Sequence, residues 1–238
     1  MSKRETLMND LKVEIEELHH LYPALNYEDL FLVWFLRAYV TDDVDMAAKA
    51  VTNGPNDKGV DGVLIDDSSF SIFVVQSKYR NTISGKNEKR SEVMGFAHLG
   101  HILTRKDDDL FKSLLYGANG TVVDKLTEAR KRLLKRDYRL WLYYVTLGKC
   151  SSNLKREAEP TVRDIRGKVF LEIIDGYRLL LLMRDYLDGV APPIPSLDLL
   201  MESSHGISLN GILQRYDSLS KIESWVFPNE RRFYCKVV

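Results

Sequence analysis

Residues Gly59–Arg80 read GVDGVLIDDSSFSIFVVQSKYR, and the fold follows from how this stretch is parsed. Val60–Ile65 and Phe70–Tyr79 are rich in Val, Ile and Phe, the composition of β-strands, and Asp66-Asp67-Ser68-Ser69 between them is turn chemistry. The pattern predicts a β-hairpin. Side chains alternate faces along a strand, so Ile72, Val74, Gln76 and Lys78 share one face. With the four turn residues as the loop, Ile65 is expected opposite Phe70 and Asp61 opposite Val74, which makes Gln76 the diagonal neighbour of Asp61. An acid, an amide and a lysine then gather at one end of an otherwise apolar hairpin. The turn sets this register, and a one-residue shift of the turn is expected to send Asp61 to the other face.

Such a set suits metal-assisted phosphodiester hydrolysis. A hard cation such as Mg²⁺ takes oxygen ligands and keeps several waters. Asp61 offers a carboxylate, Gln76 an amide oxygen and Ser77 a backbone carbonyl. Lys78 carries a point charge that can orient a water and offset charge on a phosphorane. The plain alternative is a surface hairpin with a solvated Gln and Lys. Against it, Gln76-Ser77-Lys78 closes the apolar run Ile72-Phe73-Val74-Val75 and so belongs at the rim of a core.

The spacing of Asp61 before Gln76-x-Lys78 resembles the PD-(D/E)xK nuclease superfamily. Gln in place of the second acid resembles its Mrr-like QxK branch. More closely, NGPNDKGVDGVLID (Asn53–Asp66) followed by IFVVQSKYR (Ile72–Arg80) resembles the N-terminal nuclease domain of the AIPR abortive-infection, phage-resistance proteins. A softer likeness continues in LWLYYVTLGK (Leu140–Lys149) and LEIIDGYRLLLLMRDYL (Leu171–Leu187). The resemblance spans Asn26 to Pro195. It implies an α/β, restriction-endonuclease-like mixed β-sheet flanked by helices, dependence on Mg²⁺ or Mn²⁺, DNA as substrate and a role in anti-phage defence. It also implies a metal-ligating acid on the helix before the hairpin. Glu28 is the match, with Asp29 the second candidate.

The 238 residues suffice for one large domain or a domain with an appendage, and a hydrophobic content of 45% allows a sizeable core. Acids and bases balance at 34 each, so any nucleic-acid contact must come from local patches. Two lie in the sequence. Six bases between Lys78 and Arg105 stand against Glu88 and Glu92, and seven between Lys125 and Arg139 against Glu128 and Asp137. The first adjoins the proposed site, and Arg80, Lys86, Lys89 and Arg90 are its expected nucleic-acid contacts. The second falls on an amphipathic helix, Val122–Arg136, where a solvated outer face explains it equally well. Cys150 and Cys235 lack zinc-site spacing, which fits a reducing compartment. The N-terminus has no apolar signal core and Leu179–Met183 is too short to span a bilayer, so a soluble, cytoplasmic protein is expected.

The rest of the chain alternates helices and strands. Thr6–Leu21 is an amphipathic helix, ending in His19-His20, whose side chains diverge and read as a solvated cap. Asn26–Val40 is a second, nearly all apolar helix; Asn26 is a natural N-cap and Asp29 completes it, which leaves Glu28 without a capping duty. A short Ala-rich helix follows at Met46–Val51, and Asn53–Asn56 is a loop. No strand is evident before the hairpin. Asp57 reads as a turn residue, and Gly59 and Gly62 fit either a turn or a close approach to phosphate. Asn81–Asn87 is a polar loop and Glu88–Thr104 a helix, whose His98 and His101 read as surface or packed histidines rather than a zinc pair. Leu140–Leu147 and Lys168–Ile174 are strands; Glu159–Arg166 and Tyr177–Leu187 are helices, giving an α/β order. The proline-rich GVAPPIPS (Gly189–Ser196) divides a nuclease domain, residues 1–190, from a linker and partial C-terminal segment, 191–238, with Leu209–Tyr216 as a helix and Arg231–Val238 as a strand-like run. The resembled proteins are longer, so a domain of a larger protein or a shortened homologue both stay open, as does a homo-oligomer. A second class of function also stays open: a catalytically silent module on a nuclease fold, binding nucleic acid through the basic patches or a partner through Leu197–Val238. RNA in place of DNA is a third, because cleavage chemistry is nearly blind to the sugar.

Overall fold

The computed structural model describes residues 3–188, apart from 53, 136 and 166, and two strands at 222–226 and 233–237. The chain opens with α1 (Lys3–Leu21), α2 (Tyr27–Tyr39) and α3 (Val44–Ala50). Next come the hairpin strands β1 (Gly62–Asp66) and β2 (Ser71–Lys78), then α4 (Arg90–Thr104), α5 (Asp108–Leu115), α6 (Gly120–Lys135) and β3 (Arg139–Thr146). A short α7 (Ser152–Ala158) runs into a 3₁₀ helix (Glu159–Ile165), followed by β4 (Val169–Ile174) and α8 (Gly176–Leu187). The strands β5 (Ile222–Val226) and β6 (Phe233–Val237) pair antiparallel as a separate two-stranded sheet; the sequence anticipated β6 and not its partner. The linker and the helix expected at Leu209–Tyr216 lie outside the described residues. Besides β5, the sequence does not announce α5, α7 or the 3₁₀ character of Glu159–Ile165.

The main sheet is mixed and four-stranded, in the order β1-β2-β3-β4. β1 is antiparallel to β2, while β2, β3 and β4 are parallel. Among the described residues the chain before β1 contributes only an isolated bridge, Val51 to Gly62. Helices cover both faces, and each face has its own core. Ile72 and Val74 of β2 and Leu140, Leu142 and Tyr144 of β3 pack against the helices that join the parallel strands. Val75, Tyr143 and Val145 point the other way, toward α1, α2 and α8. This is strand alternation with both faces buried, which is why these strands read as almost continuous apolar runs.

The apolar helix of the sequence is the centre of the second layer. Leu30 through Leu36 are all buried in α2, and each such side chain contributes ~1.5–3 kcal/mol on leaving water. In α1 the stripe Leu7, Leu11, Ile15 and Leu18 is buried, but Leu21, the last of the expected stripe, is exposed at the helix end. Among the described residues no helix is long and apolar enough to cross a membrane. The N-terminus of α2 meets the carboxyl end of β2, and open α/β sheets hold ligands at such strand ends.

Candidate functional site

The hairpin turn keeps four residues but lies one position later than Asp66–Ser69, and this one-residue shift of the turn moves the strand register by two. Asp66 pairs with Ser71 and Ile65 with Ile72, so the loop is Asp67–Phe70. Asp66 Oδ1 accepts the Ser68 N–H at 2.9 Å, and Phe70 closes the loop at a left-handed φ of 50°. The expected pairing of Ile65 with Phe70 is therefore off by two. An even slip preserves the faces. Val63 pairs with Val74 and Gly62 with Val75, so extending the ladder brings Asp61 directly opposite Gln76 rather than diagonal to it.

Asp61 is pinned through backbone and side chain. Its N–H donates to Val75 O at 2.9 Å and its carbonyl accepts from Thr52 N–H at 3.0 Å. Its carboxylate Oδ2 accepts the Ser77 N–H at 2.6 Å, with Ser77 Oγ at 3.4 Å. A cavity of about 330 Å³ opens here, and Asp61, Ser77, Lys78 and Arg80 line it from the hairpin, Glu28 and Asp29 from α2, and Asp57 from the preceding loop. Residues far apart in sequence thus front one space.

Asp61 shares that space with other acids. Burial pushes its carboxyl up to about 7; the Ser77 N–H and Lys78 pull against this, while the charge of Asp57 and a hydrogen bond with it add to the rise. Asp57 was read as a turn residue, and it is one, since its Oδ1 accepts the Gly59 N–H at 2.7 Å. It also stands beside Asp61, a role that its i, i−4 spacing across a glycine-containing turn could have suggested. On α2, Asn26 Oδ1 accepts from the N–H groups of Glu28 and Asp29, each at 2.9 Å, and the Asp29 carboxylate bonds back to the Asn26 backbone. The cap is as expected. Burial raises Asp29, and its Oδ2 is buried without a hydrogen-bond partner. Glu28 is exposed and free of the cap.

Gln76 does not join the cavity lining. It is buried with its amide behind Gly59; a Cβ built on that glycine would stand 2.9 Å from Gln76 Nε2, and Gly59 has φ +74°. Lys78 reaches the cavity, with Nζ 3.9 Å from Glu92 Oε2. Among the described residues, no three His, Cys, Asp or Glu side chains converge closely enough to hold a metal ion. The donor set still suits a hard cation: Asp61 is crowded by Asp57, and Asp29 keeps an unsatisfied carboxylate oxygen.

Of the four expected nucleic-acid contacts, only Arg80 lines the cavity. Its Nη2 lies 3.1 Å from Glu88 Oε2. Lys89 pairs with Glu92 at 3.6 Å and Arg90 forms a two-pronged pair with Glu157, while Lys86 is exposed. Glu88 was expected only as a helix start; it is instead a buried acid that binds Arg80, Tyr144 and Thr146. The second basic cluster is divided: Lys131, Lys135 and Arg139 are exposed, as a solvated outer face requires, while three of its other bases have partners within the protein. Arg130 bonds Asp108 and lies over Phe111, Arg132 pairs with Asp67 and Glu128, and Lys125 donates to the carbonyls of Lys49 and Val51. His101 is buried against Thr161 O, in keeping with a packed histidine.

No protein-family model matches the chain, and no curated protein or solved structure matches it significantly.

Proposed function

We propose that this chain is a divalent-metal-dependent endonuclease of restriction-endonuclease-like fold that hydrolyses DNA phosphodiester bonds, with the anti-phage role that the resemblance implies. The observation that carries the reading is the convergence in one cavity of Asp61, Ser77 and Lys78 from the hairpin with Glu28 and Asp29 from α2. Asp61, Glu28, Asp29 and Ser77 line the cavity, and the three carboxylates with the Ser77 carbonyl are the oxygen donors that would hold the metal. Gln76 completes the QxK pattern and holds the Gly59 turn from behind. Mg²⁺ or Mn²⁺ bound among these oxygens supplies Lewis acidity and a more acidic water.

The chain's own part is electrostatic and positional. Asp61 is fixed by Ser77, so its carboxylate keeps one direction. Lys78 places a cation where negative charge grows on the phosphorane and orients the attacking water. Glu92, 3.9 Å from the ammonium, limits its wandering. A new P–O bond forms to water, the P–O bond to the leaving sugar oxygen breaks, and that oxygen takes a proton. The test is incubation of supercoiled plasmid with Mg²⁺ or Mn²⁺ and the parent, Asp61→Ala and Lys78→Ala proteins. Nicking by the parent alone supports the reading. No cutting of plasmid or of single-stranded RNA with either ion overturns it in favour of a silent binding module, and cutting of RNA alone changes the substrate.

A further inference from the structure

Arg80 stands two residues beyond Lys78, the last residue of β2. Across the sheet, Gln76 pairs with Tyr144 and Lys78 with Thr146. Glu88, at the entry to α4, lies over this corner. Its Oε1 accepts from Thr146 Oγ1 at 2.7 Å and its Oε2 from Tyr144 OH at 3.3 Å. Arg80 Nη2 spans both oxygens, at 3.3 and 3.1 Å. The Glu88 N–H donates to Lys149 O at 3.0 Å, so its backbone is fixed as well. The Glu88 side chain is 2% exposed against 28% for Arg80. A buried carboxylate with three donors is rigid, and it holds one nitrogen of a guanidinium that has several.

The remainder of that guanidinium is not used up. Arg80 lines the same cavity as Asp61 and Lys78, and its Nε is buried with no acceptor. A donor without a partner is costly unless a ligand oxygen completes it. Guanidinium forks fit phosphate, and a fork already anchored on one side loses less freedom on binding. We infer that Arg80 binds a nucleic-acid phosphate next to the scissile one, and that Glu88 is the positioning residue that holds Arg80 in place for it. The inference rests on the reading of this cavity as a phosphodiester site.

Binding rather than cleavage tests it. The full chain is titrated into a fluorescein-labelled single-stranded DNA oligonucleotide with Ca²⁺ at several salt concentrations, for the parent, Arg80→Ala, Arg80→Lys, Glu88→Gln and the Arg80→Ala/Glu88→Gln double variant. Melting curves accompany each. Arg80→Ala is expected to weaken binding about tenfold and to lower the salt slope by about one. Arg80→Lys restores the slope and only part of the affinity. Glu88→Gln is expected to weaken binding about threefold or more in the parent and under twofold in the Arg80→Ala background, the coupling expected of partners. An equal loss in both backgrounds would make Glu88 merely structural and overturn the inference, as would an unchanged salt slope in Arg80→Ala or no binding by the parent. If Asp61→Ala abolishes cutting while Arg80→Ala binds like the parent, the nuclease reading stands and this inference falls. If nothing is cut yet the coupling holds, the nuclease reading falls and Arg80 stands as a phosphate contact positioned by Glu88, with no scissile neighbour.

Discussion

Two charged groups are drawn into this fold against their preference, and the chain treats them differently. Lys125 of α6 reaches across the edge of the sheet and donates to the carbonyls of Lys49 and Val51 at the end of α3. Burial pushes it down to about 8, but its donors have acceptors. Asp61, just before β1, has its carboxylate largely withdrawn from water, and its neighbour Asp57 is another acid, so its carboxyl rises to about 7. One charge is answered by the protein's own dipoles and the other only in part, by Ser77 and Lys78. A helix-end clamp explains the first. The second is a strained arrangement of the kind found where a ligand supplies the missing charge.

The comparison breaks most decisively at Asp61. Asp61→Asn is expected to reduce plasmid cleavage by about 10³-fold or more while stabilising the metal-free fold. Because its folded pKa lies above the ordinary 3.8, the parent loses stability as pH rises through that window to about 7. Melting should therefore favour Asp61→Asn by several degrees at pH 8, and the two proteins should converge near pH 3.5. A less stable variant at pH 8 would sink the contrast.

Lys125→Met is the counterpart. It removes both hydrogen bonds and leaves the Lys49 and Val51 carbonyls without them, for an expected loss of ~1–3 kcal/mol in urea unfolding at pH 7, with cleavage per folded molecule unchanged. The folded pKa lies below 10.5, so the unfolded chain binds more protons between about 8 and 10.5, and parent stability gains from this residue as pH rises there. The deficit of Lys125→Met should thus be larger at pH 10 than at pH 7.

Gly59→Ala tests the backing of the site. Its positive φ and the nearby Gln76 amide predict a loss of ~1–2 kcal/mol by denaturant unfolding, with a fall in cleavage as the Asp57–Asp61 loop shifts. The smallest effect is expected at Asp57→Asn. Removing that charge lowers the Asp61 carboxyl, so the acid limb of the cleavage profile should move to lower pH. A limb that stays in place would show that Asp57 does not act on Asp61.

The two basic clusters show where residue patterns stop informing. Both read alike as charge counts, yet Arg130 and Arg132 are tied to Asp108, Asp67 and Glu128, and Lys125 to carbonyls, whereas Arg80 opens into the cavity. A sequence counts charges and cannot tell which are already answered by Asp108, Asp67 or the Lys49 carbonyl, 22, 65 and 76 positions away. Glu88 was hidden for the same reason: its partners Tyr144 and Thr146 lie 56 and 58 residues on.

Local periodicity alone determined the hairpin, the burial of α2, the capping of that helix by Asn26 and Asp29, and the face shared by Gln76 and Lys78. These depend on neighbours within a few residues, where backbone geometry repeats at 2.0 or 3.6 residues. Even the misjudged turn kept Asp61 on the right face, because the register slipped by two. Tertiary structure decided the rest. It set Asp61 against Asp57, left Gln76 behind Gly59, brought α2 to the end of β2 and placed a buried carboxylate under Arg80. Each of these turns on which distant groups share a low-dielectric space, and electrostatic and packing energies there depend on separation in space rather than along the chain.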